Sequence, residues 1–202
     1  MPKIYLSPPI SSPAVLASER DHVMFVGGGA GIATFLSFVD REFIKATKAT
    51  NPNDDSEWET QSVNKFMDFV FIFRELEHMR WMPKYLNAVL TIPSMTKKMR
   101  FHLYISSDPK CSKVSSYLFW KAMILYNKKQ NELGNTWKLN IQLGRPELES
   151  LIESTCVKNI YSCGPKVMTR QLEGIVQSVN SWKNREGGKV QKAKVVLNYE
   201  IF

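Results

Sequence analysis

Cysteine is scarce in this chain, with three among 202 residues. Cys111, Cys156 and Cys163 are odd in number and form no Cys-x-x-Cys pair, which excludes a disulfide framework. The three histidines are far apart in sequence, which argues against a structural zinc site, so the composition fits a reducing compartment. Apolar runs are short. None approaches the ~20 residues that span a bilayer, and the first residues, MPKIYLSPPISSP, lack the apolar centre of a signal peptide. The chain itself is therefore expected to be soluble. Acidic residues are also short, at 19 against 27 Lys and Arg, for a net charge of +8. The excess calls for an anionic partner. The basic residues are dispersed with no dense tract or interleaved aromatics, so a small phosphorylated ligand fits better than nucleic acid.

Two familiar nucleotide motifs are missing as well. The usual dinucleotide fingerprint places glycines at the first, third and sixth positions. Here the sixth is Ile32 or Thr34, depending on the frame. A P-loop would end in Gly-Lys-Ser/Thr, which is also absent. What is present is Gly27-Gly28-Gly29-Ala30-Gly31-Ile32-Ala33-Thr34, between the apolar run 22–26 and a helical pattern of Phe35, Phe38, Val39 and Phe43. A strand turning through glycines into a helix exposes backbone amides and the positive end of a helix dipole, which is the chemistry of a diphosphate site.

The rest of the chain alternates strand-like and helix-like segments. Strands are expected at 23–27, 68–73, 100–105, 139–143, 159–163 and 194–199, and helices at 34–46, 79–90, 114–128, 147–153 and 166–180. Residues 69–73, Phe-Val-Phe-Ile-Phe, are apolar without alternation, as in a strand buried on both faces. This order predicts an α/β fold, an open parallel sheet of about five to six strands with helices on both faces, Rossmann-like in character. Residues 1–21 read as an arm or linker and 22–202 as one domain. Two polar insertions are expected near 47–64 and 106–137. The first reads as a solvated loop, with docking through its acidic cluster as the alternative. In the second, Val114, Tyr117, Leu118, Leu125 and Tyr126 share a helical face that is expected to pack on the sheet.

Four further features point to the same ligand. Arg74 follows the second strand, at the edge where open α/β sheets bind ligands. An acidic residue there would accept from ribose hydroxyls, whereas Arg holds a 2′-phosphate, so Arg74 favours NADPH over NADH. Gly144-Arg145-Pro146 follows the fourth strand, with Arg145 either a second phosphate ligand or a surface charge. Cys163-Gly164-Pro165 ends the fifth strand and opens a helix, Gly164 permitting close approach to the backbone. Alone, Cys163 reads as a buried structural cysteine. Last, Glu200 and Phe202 end the chain directly after a strand.

Taken in order, GGGAGI, Arg74, Gly-Arg-Pro, Cys-Gly-Pro and the terminal Glu-x-Phe resemble the NADP-binding lobe of the ferredoxin–NADP reductase superfamily, in particular its membrane NADPH oxidase and ferric reductase branch. The resemblance runs from about Val23 to Phe202. It implies that Gly27, Gly28, Gly29, Ala30 and Gly31 hold the diphosphate and that Ala33 and Thr34 also border the cofactor. Arg74, Arg145 and Pro146 would serve the 2′-phosphate end, and Cys163, Gly164 and Pro165 would lie against the nicotinamide. Glu200 would orient the carboxamide, and Phe202 would stack on the flavin until nicotinamide displaces it, which makes Cys163, Glu200 and Phe202 the reaction centre.

The implied function is an NADPH dehydrogenase lobe of a membrane flavocytochrome, passing hydride to FAD for transfer through haem to oxygen. A ferric reductase of the same branch, a soluble flavin reductase and a non-enzymatic nucleotide-sensing domain are the alternatives. The expected partners are NADPH, a preceding FAD-binding barrel, a transmembrane haem domain and regulatory proteins, at the cytosolic face of a membrane. The family usually follows its glycines with Thr-Pro, where this chain has Ala33-Thr34. The flavin-binding barrel is not in this sequence, so the chain looks like one lobe of a longer protein, with little activity alone.

Overall fold

The computed structural model describes residues 22–48, 66–91, 99–108, 113–132, 139–155, 157–185 and 195–201. The strands are β1 (His22–Gly28), β2 (Phe66–Phe73), β3 (Met99–Ile105), β4 (Leu139–Leu143), β5 (Asn159–Gly164) and β6 (Val196–Ile201). They form one sheet in the order β4-β3-β2-β1-β5-β6, and every pairing is parallel. The helices are α1 (Ile32–Lys48), α2 (Pro83–Thr91), α3 (Val114–Glu132), α4 (Leu148–Thr155) and α5 (Lys166–Arg185). The expected α/β architecture with helices on both faces is the one observed.

Burial follows position in the sheet. The central strands are closed on both sides: β5 is buried throughout, and β2 from Met67 to Phe71. The edges are open, with Gln142 and Leu143 of β4 and Val196 and Tyr199 of β6 exposed. On one face α1, α2 and α3 cover Val23, Phe25, Met67, Phe69, Phe71, Phe101, Leu103 and Tyr161. On the other, α4 and α5 cover Met24, Val26, Val70, Tyr104 and Ile160.

Across the first face runs a ladder of rings on adjacent strands. Phe25 is in register with both Tyr161 and Phe69, and Phe69 with Phe101. Phe25 and Phe69 stack with centroids 4.9 Å apart, Phe69 and Phe101 at 5.0 Å, and Phe25 meets Tyr161 at 5.7 Å. Each such pair adds about 0.5–1.5 kcal/mol beyond the area that it buries.

Two expectations about helices are corrected. The helix expected at 79–90 is a 3-10 turn, Leu76–Trp81, followed by α2. Pro83 has no N–H to continue the first piece, and it opens the second at a position where that donor would be free anyway. In α3, Tyr117 packs toward the core, but Val114, Leu118, Leu125 and Tyr126 are exposed. The inward face is instead formed by Ser116, Phe119, Trp120, Met123 and Ile124. With apolar residues on both faces of α3, periodicity alone does not distinguish them. Of the polar segment near 47–64, residues 49–64 lie outside the described residues.

Candidate functional site

The sheet reverses direction of winding between β1 and β5. From β1 the chain proceeds to β2 on one side, and from β5 to β6 on the other, with α1 and α5 on opposite faces. Beyond the C-terminal ends of these two strands lies a crevice of the kind that binds ligands in open α/β sheets.

On the β1 side, Gly28 is extended and caps a 3-10 turn, Gly29–Gly31, that runs directly into α1. Gly28 supplies no capping side chain, and neither the turn nor α1 carries an acidic residue in its first turn. The first amides are thus available to an anion and reinforced by the helix dipole. Gly29 has φ +57°, which disfavours other residues, and a Cβ there would meet nothing within 4 Å. Gly27 differs: a Cβ would lie 3.1 Å from Ile32 Cα, so this glycine lets α1 approach the strand. Ala30 and Ala33 are exposed.

On the β5 side, Gly164 lies against Gly28, and a Cβ on Gly164 would come within 3.2 Å of the Gly28 amide nitrogen and 2.6 Å of Met168 Cε. The two glycine turns therefore touch. Pro165 accepts from the amides of Met168 and Thr169, starting α5. Cys163 is a thiol outside any disulfide, 5 % exposed, and its register partners are Gly27 on β1 and Glu200 on β6. Backbone pairing therefore brings Gly27, Cys163 and Glu200 side by side, although they span nearly the whole sequence. The Cys163 sulfur lies 3.5 Å from Thr34 Oγ1 in the first turn of α1. Phe202 lies outside the described residues.

The two candidate phosphate arginines are placed differently. Arg74 is exposed at the end of β2, next to β1, and its carbonyl accepts from Ser107 N–H. Arg145 is exposed beyond β4, with half-buried Pro146 after it and Gly144 at φ +97° before it. Three strand spacings put β4 about 14 Å from β1. A ligand with its diphosphate at Gly29 must cross the ends of β2 and β3 to meet Arg145.

A polar cluster that the sequence did not reveal lies toward the opposite ends of the strands. Asp68 on β2 is fully buried. Its Oδ2 accepts from His22 Nε2 at 2.8 Å and Arg100 Nη2 at 2.5 Å, and its Oδ1 from His102 Nε2 at 3.0 Å. Burial pushes the Asp68 carboxyl up, but the hydrogen bonds from His102, His22 and Arg100, with the Arg100 charge, hold it well below the usual carboxylate range. The signal available was the polar Asp68 in the otherwise apolar segment Phe66–Phe73. Its partners come from two other strands, so no sequence spacing connects them. Among the described residues, no group of His, Cys, Asp and Glu is arranged to hold a metal ion.

A family model described as ferric reductase NAD binding domain matches residues 20–177, well over half of the chain. No curated protein matches it significantly.

Proposed function

We propose that this chain, which belongs to the ferric reductase NAD-binding domain family, is the NADPH-binding lobe of a membrane flavocytochrome. The reading extends to FAD held mainly by a preceding domain and to electron transfer through haem to oxygen. Ferric iron is the second reading for the acceptor, favoured by the description of the matched family. Residues 22–202 form the lobe and 1–21 an arm or linker, at the cytosolic face of a membrane. Among the described residues, no helix is long and apolar enough to cross one.

The observation that carries the proposal is the crevice between β1 and β5, where uncapped amides on one side meet a thiol and a Gly-Pro turn on the other. The amides at the start of the turn, those of Gly29 and Ala30, take the diphosphate at a positive helix end that no side chain caps. Arg74 takes the 2′-phosphate one strand away, and Arg145 and Pro146 border the far end of the same ligand. Cys163, Gly164 and Pro165 face the nicotinamide, Glu200 orients its carboxamide, and Phe202 stacks on the flavin until nicotinamide displaces it. Bound there, NADPH supplies the hydride that FAD accepts.

The test is calorimetry with NADPH and NADH on the wild type and Arg74→Ala. A charge-assisted contact to the 2′-phosphate is worth about 1.5–3 kcal/mol, roughly ten- to a hundredfold in affinity. The wild type should prefer NADPH by that factor, and Arg74→Ala should bind both dinucleotides alike. Equal affinities in the wild type refute the assignment of Arg74.

A further inference from the structure

We infer that the outer face of α3 is a docking seam for an amphipathic helix of another protein, one that sets carboxylates among its apolar side chains. The inference is independent of the nucleotide site.

α3 is apolar on two sides, and only one of them is covered. Trp120, Met123 and Ile124 pack on the core, whereas Val114, Leu118 and Leu125 are 74 %, 60 % and 65 % exposed. Single exposed leucines are ordinary on a protein surface. These three residues are aligned: with about 3.6 residues per turn they fall within roughly 40° of one another, the narrow stripe of a helix–helix seam. Lys121 and Lys128 lie on the same line, so the order along it is Val114, Leu118, Lys121, Leu125, Lys128, in steps of three and four. Both lysines are exposed, and among the described residues neither pairs with a carboxylate. The Lys121 ammonium rests 5.6 Å from the Tyr117 ring centroid, which keeps its charge on the helix surface. The start of α3 is anchored to the rest of the domain, because Glu77 Oε1 accepts from the Lys113 amide at 2.9 Å and Arg80 Nη2 donates to Ser115 Oγ at 3.0 Å. The seam is thus held in place before a partner arrives.

The alternation of leucine and lysine selects the occupant. A second copy of this chain would bring two seam lysines from each protomer into one interface against a single acid from each, Glu132 at the end of the helix, and leave like charge uncompensated. A bilayer takes a broad apolar face with its lysines on the opposite side. Here they interrupt a narrow stripe. A helix with leucines and glutamates at the same three- and four-residue spacing covers Val114, Leu118 and Leu125 and meets both lysines with opposite charge. The net charge of +8 favours its approach.

The experiment uses the full chain, isotopically labelled, with a spin-labelled, lactam-stapled helical peptide of about 20 residues that carries leucine and glutamate at that spacing. The same peptide with lysine for glutamate is the control. The acidic peptide should broaden the amide signals of residues 114–129, and the basic one should not. Lys121→Glu with Lys128→Glu should weaken the acidic peptide about tenfold and create binding of the basic one, and Leu118→Gln with Leu125→Gln should weaken the acidic peptide by about the same factor. All four positions are exposed, so these variants should melt like the wild type. Signals of α3 that do not respond, or equal affinity for the two peptides, overturn the inference, and this comparison on the wild-type chain needs no variant to fold. Self-association in sedimentation that Leu118→Gln with Leu125→Gln abolishes also overturns it, because the occupant is then a second copy. Co-sedimentation with phosphatidylserine vesicles that the same variant abolishes overturns it in favour of a lipid surface.

Discussion

Replacing Asp68 by Asn changes the atoms of one buried group and leaves its volume nearly intact. The carboxylate accepts three hydrogen bonds, two at Oδ2 and one at Oδ1. An amide offers one oxygen and one NH2: turned one way its NH2 meets the Arg100 donor, and turned the other it is accepted only if His102 carries its proton on Nδ1. Arg100 also loses its counter-charge. Breaking a buried ion pair by removing one partner costs about 3–5 kcal/mol. The Arg100 side chain retains 23 % exposure, so water recovers part of the loss and the lower figure, about 3 kcal/mol, applies. For a chain of this size that corresponds to a Tm lower by roughly 6–12 °C. The pH dependence has a definite sign. Because Asp68 titrates below its unfolded value, its stabilisation is complete above the ordinary carboxylate range and declines as pH falls through that range toward the folded value. The gap between wild type and Asp68→Asn in urea melts should stay constant from neutrality to about pH 5 and narrow below about pH 4. A difference under about 0.5 kcal/mol at neutral pH, or a gap that is unchanged down to about pH 3, refutes the reasoning.

Gly29→Val should fold with a penalty of about 1–2 kcal/mol for a left-handed, β-branched residue, because no atom lies where its Cβ would be. The variant should lose dinucleotide binding in calorimetry, and retained affinity in a natively folded protein would put the diphosphate elsewhere. Phe69→Ala removes the central ring of the ladder and should cost about 3–5 kcal/mol in denaturant melts, while NADPH affinity measured well below Tm stays near wild type.

The fold was readable because a doubly covered sheet writes itself into local composition. Residues 69–73 have no polar alternation, as the double burial of β2 requires, and each strand expected from the sequence corresponds to one observed. Glycine positions were legible for the same local reason: Gly29 sits at the positive φ that a strand-to-helix turn demands. Contacts that depend on strand order were not. The Thr34 hydroxyl meets Cys163 because β5 inserts beside β1 after three other strands have passed, which no spacing in the sequence announces. His22 and His102 are distant in sequence, and one buried carboxylate joins them. The buried face of α3 was not legible because helical spacing identifies a stripe without saying which way it turns.

The ring ladder has a mechanical consequence for the crevice above it. Phe25 and Tyr161 each stand two residues before a residue at the crevice, Gly27 and Cys163, and those residues are themselves register partners. The interlocked rings make the sheet stiff just below the point where the two turns touch, so the separation of those turns is set before any ligand arrives. Amide exchange near Phe25 and Tyr161 should accordingly be among the slowest in the chain, with or without nucleotide. A floor this rigid has little bending to contribute to the accommodation of any ligand above it.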